Sequence, residues 1–199
     1  MDQPSGILKT EGCICMRNRM SDRGKVISFF KEDEWCLDIL QEVQQLNLPD
    51  WWVCAGFVRT KIWDVLHGFY EWTPLDNIDV IFFDEDRLEE KYEKAYERRL
   101  SELLPGVPWS VKNEARMHHI NGMKPYKSSV DAISRFPETA TAIGLNLNDW
   151  DEIELAAPWG VEDALSMQVR PVPYFCKDQK LASIYENRIL KKNWQEKWR

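Results

Sequence analysis

The sequence predicts a domain that combines helices with one small mixed β-sheet, in the α+β or α/β class. Helical and strand patterns alternate along the first half of the chain in the order α-β-α-β-α-β, and a mixed tail of both element types follows. One predicted strand, residues 78–83, is apolar on both faces, which is typical of a central strand covered by helices. These observations predict a single sheet with helices packed against it.

Composition is typical of a globular protein with a core. The 199 residues are 44% hydrophobic and 30% charged, and no apolar run approaches the ~18 residues that cross a bilayer. No apolar signal segment stands in residues 1–25, and the five cysteines are scattered, as in proteins of a reducing compartment. We therefore predict a cytoplasmic protein with no membrane partner.

The net charge of −7 gives no strong signal for nucleic-acid binding. Basic residues do gather at the C-terminus. We interpret them as the solvated face of a packed amphipathic helix, with an RNA-binding or membrane-surface role as the alternatives. They are Arg188, Lys191, Lys192, Lys197 and Arg199.

The helices follow from apolar residues that recur with a period of 3.6. No such period is visible in residues 1–26, so we predict a flexible N-terminal extension followed by one domain over 27–199. Pro49 stops the first helix, Gly68 ends the second, and Ser128 begins the fourth. The predicted helices cover residues 31–46, 56–68, 85–104, 128–136, 160–167 and 180–198.

The strands follow from short apolar runs between turn residues. The first run is rich in tryptophan and ends at Gly56, and the third alternates apolar with polar residues. The last two follow the fourth helix. The predicted strands cover residues 51–55, 78–83, 107–113, 140–147 and 153–157.

Asp79 raises the question of function, because a carboxylate inside an apolar strand is costly unless it is paired, hydrated or bound to metal. Gly56 ends a neighbouring strand and begins a helix, where unpaired backbone N–H groups and the helix dipole favour phosphate. Arg59, one turn further on, is placed to point at the same anion. This arrangement suits metal-assisted phosphoryl chemistry, in which Mg²⁺ or Mn²⁺ bridges carboxylate and phosphate oxygens.

Structural interpretations of the same residues stay open. Asp79 would then cap a loop or pair with Arg59, and Gly56 would be a tight turn between strand and helix. An ion pair between Arg59 and Asp76 or Asp79 is compatible with ligand binding.

The residues Ala55-Gly56-Phe57-Val58-Arg59, a helix ending at Gly68 and Asn77-Ile78-Asp79 together resemble the signature of the polymerase-β-type nucleotidyltransferase superfamily. The motif is most similar to that of the head domain of CCA-adding enzymes and poly(A) polymerases. From about residue 30 onwards, the chain resembles a bacterial branch of nucleotidyltransferase-like proteins. That resemblance rests on GFVR (56–59), WDVLHG (63–68), IDV (78–80), VKNEARMH (111–118), PETAT (137–141) and APWG (157–160).

The resemblance implies a nucleotidyltransferase-like α+β fold and a metal-dependent reaction. Such an enzyme moves a nucleoside monophosphate from a nucleoside triphosphate (NTP) to an acceptor hydroxyl, which is unknown here. The alternative is a nucleotide-binding or partner-binding module of the same fold whose chemistry has degraded.

Site roles are carried over residue by residue from this resemblance. Gly56 and Arg59 are expected to hold the triphosphate, Phe57 is expected to contribute to nucleotide binding, and Asp79 is expected to be the second carboxylate of a metal pair. Asn77 stands where the first carboxylate belongs, with Asp76 one residue away to assist. Glu114 or Glu154 is the candidate for a third carboxylate. Three further residues of the VKNEARMH segment are expected to line the nucleotide cleft, namely Asn113, Arg116 and His118.

Overall fold

The structure is a computed structural model that describes residues 21–120, without the Ile120 side chain, and residues 122–198. Residues 1–20 of the predicted extension and the basic residue Arg199 lie outside the described residues. The helices are Asp22–Lys31 (α1), Glu34–Gln44 (α2), Gly56–His67 (α3), Glu90–Leu103 (α4), Glu114–Ile120 (α5), Ser129–Ile133 (α6), Glu162–Leu165 (α7), Gln179–Lys192 (α8) and Trp194–Lys197 (α9), with a short 3-10 helix at Pro173–Cys176.

The sheet confirms the predicted mixed architecture. Its strands are Trp52–Cys54 (β1), Ile78–Phe82 (β2), Trp109–Asn113 (β3), Gly144–Leu147 (β4) and Ile153–Ala156 (β5). They lie in the order β3-β2-β1-β4-β5. β2 and β3 are parallel, whereas the other pairs are antiparallel. The strand that carries Asp79 therefore lies in the interior of the sheet.

Alternation along the strands gives the sheet two buried faces. Val53, Val80 and Val111 contribute to the larger apolar cluster, together with buried side chains of α1, α2 and α3. Cys54 and Ile81 belong to a smaller cluster on the opposite face. Because Asp79 precedes Val80, its side chain belongs to the face of Ile81.

The N-terminal boundary of the domain is earlier than predicted. α1 begins at Asp22, since the Ser21 side chain accepts a hydrogen bond from the N–H of Gly24 at 3.1 Å and caps the helix. Val26 and Phe30 of α1 are fully buried. Residues 22–26 are thus part of the folded core and not of an extension.

Caps and loops shift other predicted ends. Asp33 caps α2 by accepting from the N–H of Cys36 at 3.0 Å, so the predicted first helix is preceded by a separate one. α4 begins at Glu90 and not at residue 85, because the Asn113 side chain holds the preceding loop. The last predicted helix is broken at Asn193, whose φ of 42° lies in the left-handed region.

In the part of the chain that the structure describes, none of the helices combines the length and apolarity that crossing a membrane requires.

Replacing Phe30 with alanine should test whether α1 is an integral part of the core. Phe30 is fully buried, so Phe30→Ala should lower the free energy of unfolding by about 3–5 kcal/mol. Phe29 is the matched control, since it is only partly buried in the same helix, and Phe29→Ala should cost clearly less. Denaturant unfolding measures both, and equal losses would contradict the packing of α1.

Candidate functional site

A cleft of about 530 Å³ opens where the start of α3, the loop before β2 and the C-terminal helices meet. Gly56 lies at one wall, and Asp76, Asn77 and Asp79 lie at another. Basic side chains complete the lining. They are Arg59 of α3, Arg188, Lys191 and Lys192 of α8, and Lys197 of α9.

Asn77 and Asp79 lie side by side in this cleft. The Asn77 Nδ2 donates a short hydrogen bond to Asp79 Oδ1, as their spacing of two residues along an extended segment allows. Asp79 is partly buried. Asn77 occupies the position where the resemblance predicts the first carboxylate. An amide therefore lies there, next to Asp79, the acid of β2.

Burial raises the pKa of Asp79 above its ordinary value, because desolvation outweighs hydrogen bonding from Ser110 and the field of Arg188. Among residues 21–120 and 122–198, no cation lies within ion-pairing distance of this carboxylate. The ion pair with Arg59, one of the structural alternatives, is absent among the described residues. Asp79 therefore places a carboxylate at the cleft that has no fixed cationic partner in the described part of the chain.

Asp76 reaches the same cleft from the loop, since β2 begins only at Ile78. Its carboxylate is exposed and pairs with Lys192 Nζ at 3.1 Å. The hydrogen bond from Lys192 lowers the pKa of Asp76. The contact links the acidic loop to α8 across the cleft.

The turn from β1 into α3 is strained at Ala55, whose φ of 55° and ψ of −115° are unusual for a residue with a side chain. No side chain caps α3 among the described residues, which leaves its first N–H groups available to an anion. A Cβ at Gly56 would meet nothing within 4 Å. The glycine is thus not required by packing, and the space before it faces the cleft.

Arg59 lies in an aromatic cage at the back of the cleft. Its guanidinium carbon is 5.1 Å from the Trp63 ring centroid, 4.5 Å from that of Trp194 and 5.5 Å from that of Trp198. Nη2 donates to Thr60 Oγ1 at 3.0 Å, whereas the buried Nε has no partner among the described residues. Burial lowers the pKa of Arg59 to about 10, so it stays charged at neutral pH.

The C-terminal helices supply most of the positive charge. Arg188 is held by Glu138, a fully buried carboxylate, at 2.6 Å. Lys191, Lys192 and Lys197 line the cleft beside it. A protein with a net charge of −7 therefore concentrates cations around one cavity, which is the pattern that a polyanionic ligand requires.

Phe57 does not line this cleft, although the sequence placed it beside the nucleotide. Its side chain is fully buried and packs on the other face of α3, stacked on Trp72 with ring centroids 5.2 Å apart. Trp35 and Phe30 surround the same ring. Phe57 is a core residue because the helix turns it away from the cleft.

Asn113 and Arg116 are also engaged elsewhere. The Asn113 amide donates to the carbonyls of Asp84 and Arg87 at 2.7 and 3.0 Å, and its oxygen accepts two backbone N–H groups. Arg116 forms a bidentate pair with Glu93 at 2.6 and 2.7 Å. Neither residue lines the cleft, because these contacts hold α4 and its preceding loop against β3 and α5.

The two remaining candidates of this segment lie near each other in α5. His118 is buried, its Nδ1 has no partner among the described residues, and its ring contacts those of His119 and Tyr126. Glu114 is 6% exposed and does not line the cleft. Burial, with repulsion from Glu93 and Asp79, raises its pKa to about 8.

The residues that the structure describes form no full three-acid centre. Within the described ranges, no group of three His, Cys, Asp or Glu side chains could hold a metal ion. Glu154 is exposed on β5, which is separated from β2 by two intervening strands, β1 and β4. The donors that converge are the Asp79 carboxylate and the Asn77 amide, with Asp76 on the same cleft. Since Mg²⁺ is commonly held by one or two carboxylates together with substrate phosphates, this smaller set still fits such an ion.

The basic wall and its anchors are the functional candidates that sequence reasoning missed. Positions 188, 191 and 192 share one helix face, and this pattern was visible but was interpreted as a solvated surface. Trp194 and Trp198 gave no signal that they would enclose Arg59. Only the fold brings these residues to the start of α3.

Comparison with known proteins agrees with this geometry. A family model described as nucleotidyltransferase matches residues 41–199. An NMR structure described as revealing a CCA-adding enzyme head domain is 39% identical, and the match covers 87% of this chain and 91% of that chain with a TM-score of 0.79.

A second solved structure is the Thermotoga maritima CCA-adding enzyme complexed with tRNA, at 17% identity and a TM-score of 0.46. That match covers 76% of this chain and 36% of the enzyme. None of the curated proteins matches the chain. The NMR structure, at much higher identity and coverage, confirms the predicted fold.

Glu114→Gln should stabilise the protein increasingly as the pH rises. A carboxyl whose pKa is about 8 when folded and 4.5 ordinarily favours the folded state fully below its ordinary pKa and loses that contribution as the pH passes its folded pKa. Glutamine has no such dependence. The variant should therefore gain on the order of a few kcal/mol over the wild type between about pH 5 and pH 9.

Urea unfolding across this range measures the difference in free energy. Glu102→Gln is the matched control, because Glu102 is an exposed side chain of α4 and should give a flat difference. A flat difference for Glu114→Gln would contradict the burial of its carboxyl group.

Proposed function

The chain belongs to the nucleotidyltransferase family that its residues 41–199 match, and from this premise we propose that it transfers a nucleoside monophosphate from an NTP to an acceptor hydroxyl. The observation that carries the proposal is the composition of the cleft. One side of the cleft offers the Asp79 carboxylate, which has no ion-pair partner among the described residues, beside the Asn77 amide. Another side offers a row of cations. A triphosphate with a bound divalent cation is complementary to both walls.

The triphosphate would lie along the cationic side of the cleft. Lys191, Lys192 and Lys197 would neutralise its phosphate oxygens, and the first N–H groups of α3 would receive one phosphate above Gly56. Arg59 would contribute charge from its cage. Because these groups lie on three different helices around one cavity, they would together hold the α-phosphate in position for attack.

Asp79 and Asn77 are the residues that would hold Mg²⁺ or Mn²⁺, with the triphosphate oxygens completing the coordination. Such an ion neutralises charge on the phosphates and lowers the pKa of a bound hydroxyl. Asp76 lies close enough to the same cleft to assist. Glu114 has no proposed role in the metal site, since its side chain does not line the cleft.

In the proposed reaction, the oxygen of the acceptor hydroxyl forms a bond to the α-phosphorus of the NTP. The bond from that phosphorus to the oxygen bridging the α- and β-phosphates breaks, and pyrophosphate leaves with its electron pair. The proton of the hydroxyl passes to water. The residues of the cleft act mainly by positioning the reactants and by electrostatic stabilisation.

A nucleotide-binding module without turnover is the second candidate. It is favoured by Asn77, an amide at the position of a carboxylate, and by the lack of a three-acid group in the described part of the chain. An amide oxygen carries no net charge, so it contributes less to holding divalent ions. The two candidates differ in whether pyrophosphate is released when NTP and acceptor candidates are supplied.

Asp79→Asn should separate metal-dependent NTP binding from other binding. The substitution keeps the size of the side chain and removes the charge that would hold the ion. We expect at least about tenfold weaker binding in Mg²⁺, and the difference between Mg²⁺ and EDTA should disappear. Calorimetry with ATP, GTP, CTP and UTP, each with and without Mg²⁺, measures the effect.

Asp38→Asn is the matched control, because Asp38 is exposed on α2 and outside the cleft. It should bind as the wild type does. If Asp79→Asn binds NTP as tightly as the control and with the same response to Mg²⁺, the assignment of this cleft is wrong.

A further inference from the structure

Asp64 is a buried carboxylate that has no role in the reaction proposed for the cleft. It lies in α3, one residue after the cage residue Trp63, and its side chain is 3% exposed. Among the described residues, it has no cation within ion-pairing distance, and three hydrogen bonds together with the field of the nearby Arg59 stabilise its charge. A buried carboxylate in this situation depends strongly on each of its donors.

Two of these donors come from Thr73, which directly precedes the loop that lines the acidic side of the cleft. The Thr73 N–H donates to Asp64 Oδ2 at 2.8 Å, and the Thr73 hydroxyl donates to Oδ1 at 2.7 Å. Thr73 precedes the loop residues Asp76 and Asn77 by a few positions. Asp64 therefore fixes the base of the segment that carries the acids.

The third donor comes from the cationic wall. Trp198 Nε1 donates to Asp64 Oδ1 at 2.7 Å, a contact between residues 134 positions apart in sequence. Trp198 follows α9, which carries Lys197, and its ring helps to enclose Arg59. α8 itself has no buried residue, so its cations depend for their position on partly buried side chains and on the buried tryptophans of the segment that follows.

We propose that Asp64 is a positioning residue that couples the two walls of the cleft, an inference that rests on the proposed NTP function. The carboxylate is fully hydrogen-bonded only when the loop and the C-terminal segment are both docked. Loss of either donor set leaves a buried charge under-solvated and weakens the attachment of the other. Asp64 thus sets the distance between the acids and the cations without contacting the nucleotide.

Three variants test the coupling. Asp64→Asn keeps the shape of the side chain, but it places an N–H₂ group, itself a donor, against the donors of Thr73 and Trp198. Thr73→Val removes one hydroxyl donor of the loop. Trp198→Phe removes the indole N–H of the C-terminal segment together with part of the ring that packs on Trp63 and Arg59. Each is compared with the wild type by the rate of trypsin cleavage at the C-terminal lysines, without nucleotide, and by the dissociation constant for ATP with Mg²⁺.

The expected result is faster C-terminal cleavage and about five- to tenfold weaker ATP binding in all three variants, as loss of a hydrogen bond to a charged group implies. Thr73→Val is the most informative, since its effect appears in the other wall. In an Asp64→Ala background, Thr73→Val should change the cleavage rate no further. If Thr73 acted only within its own loop, the effect of Thr73→Val on C-terminal cleavage would not depend on the Asp64 carboxylate.

Asp33→Asn is the matched control. Asp33 accepts a hydrogen bond from Trp72 Nε1 at 3.0 Å, next to Thr73, but has no contact with the C-terminal segment among the described residues. It should lower the melting temperature without changing C-terminal cleavage.

Cleavage rates within twofold of the wild type in both Asp64→Asn and Trp198→Phe would overturn the coupling. If the wild type itself binds none of ATP, GTP, CTP and UTP with Mg²⁺, the proposed function fails, while the cleavage rates still decide the role of Asp64.

Discussion

The burial of Asp79 in an interior strand is the constraint on which the cleft depends. Its neighbours supply hydrogen bonds from Asn77 and Ser110 but no ion pair among the described residues, so the carboxylate stays desolvated and its pKa is raised. A group in this state gains most from a cation that arrives with a ligand. The strain at Ala55 and the open space before Gly56 lie at the same place, which is where a phosphate would meet the helix.

Charge is segregated within the molecule in a way that its net value of −7 hides. The cations of α8 and α9 face the cleft because their helices are tied to it by contacts of different kinds. Glu138 holds Arg188 by an ion pair, Asp64 holds Trp198 by a hydrogen bond, and the tryptophan cage packs around Arg59. The acidic wall is preorganised by the sheet, whereas the basic wall depends on these tertiary ties.

Local pattern predicted the sheet, the glycine at the start of α3 and the place of Asp79, because periodicity and turn chemistry act within a few residues. Local pattern gave wrong predictions for side chains whose contacts join segments that are distant in sequence. Asn113 and Arg116 looked like cleft residues, but loop carbonyls and Glu93 take up their donors. Asp64 was visible only as part of a motif, since its partner Trp198 is 134 residues away.

The most direct test of the shared acid and cation cleft is a crystal structure with Mn²⁺ and a non-hydrolysable NTP analogue. We predict an anomalous Mn²⁺ peak at coordination distance, about 2.0–2.2 Å, from an Asp79 oxygen, with the triphosphate extending towards Lys191 and Lys192. A nucleotide bound elsewhere, or one bound in the cleft with no metal at Asp79, would contradict the account.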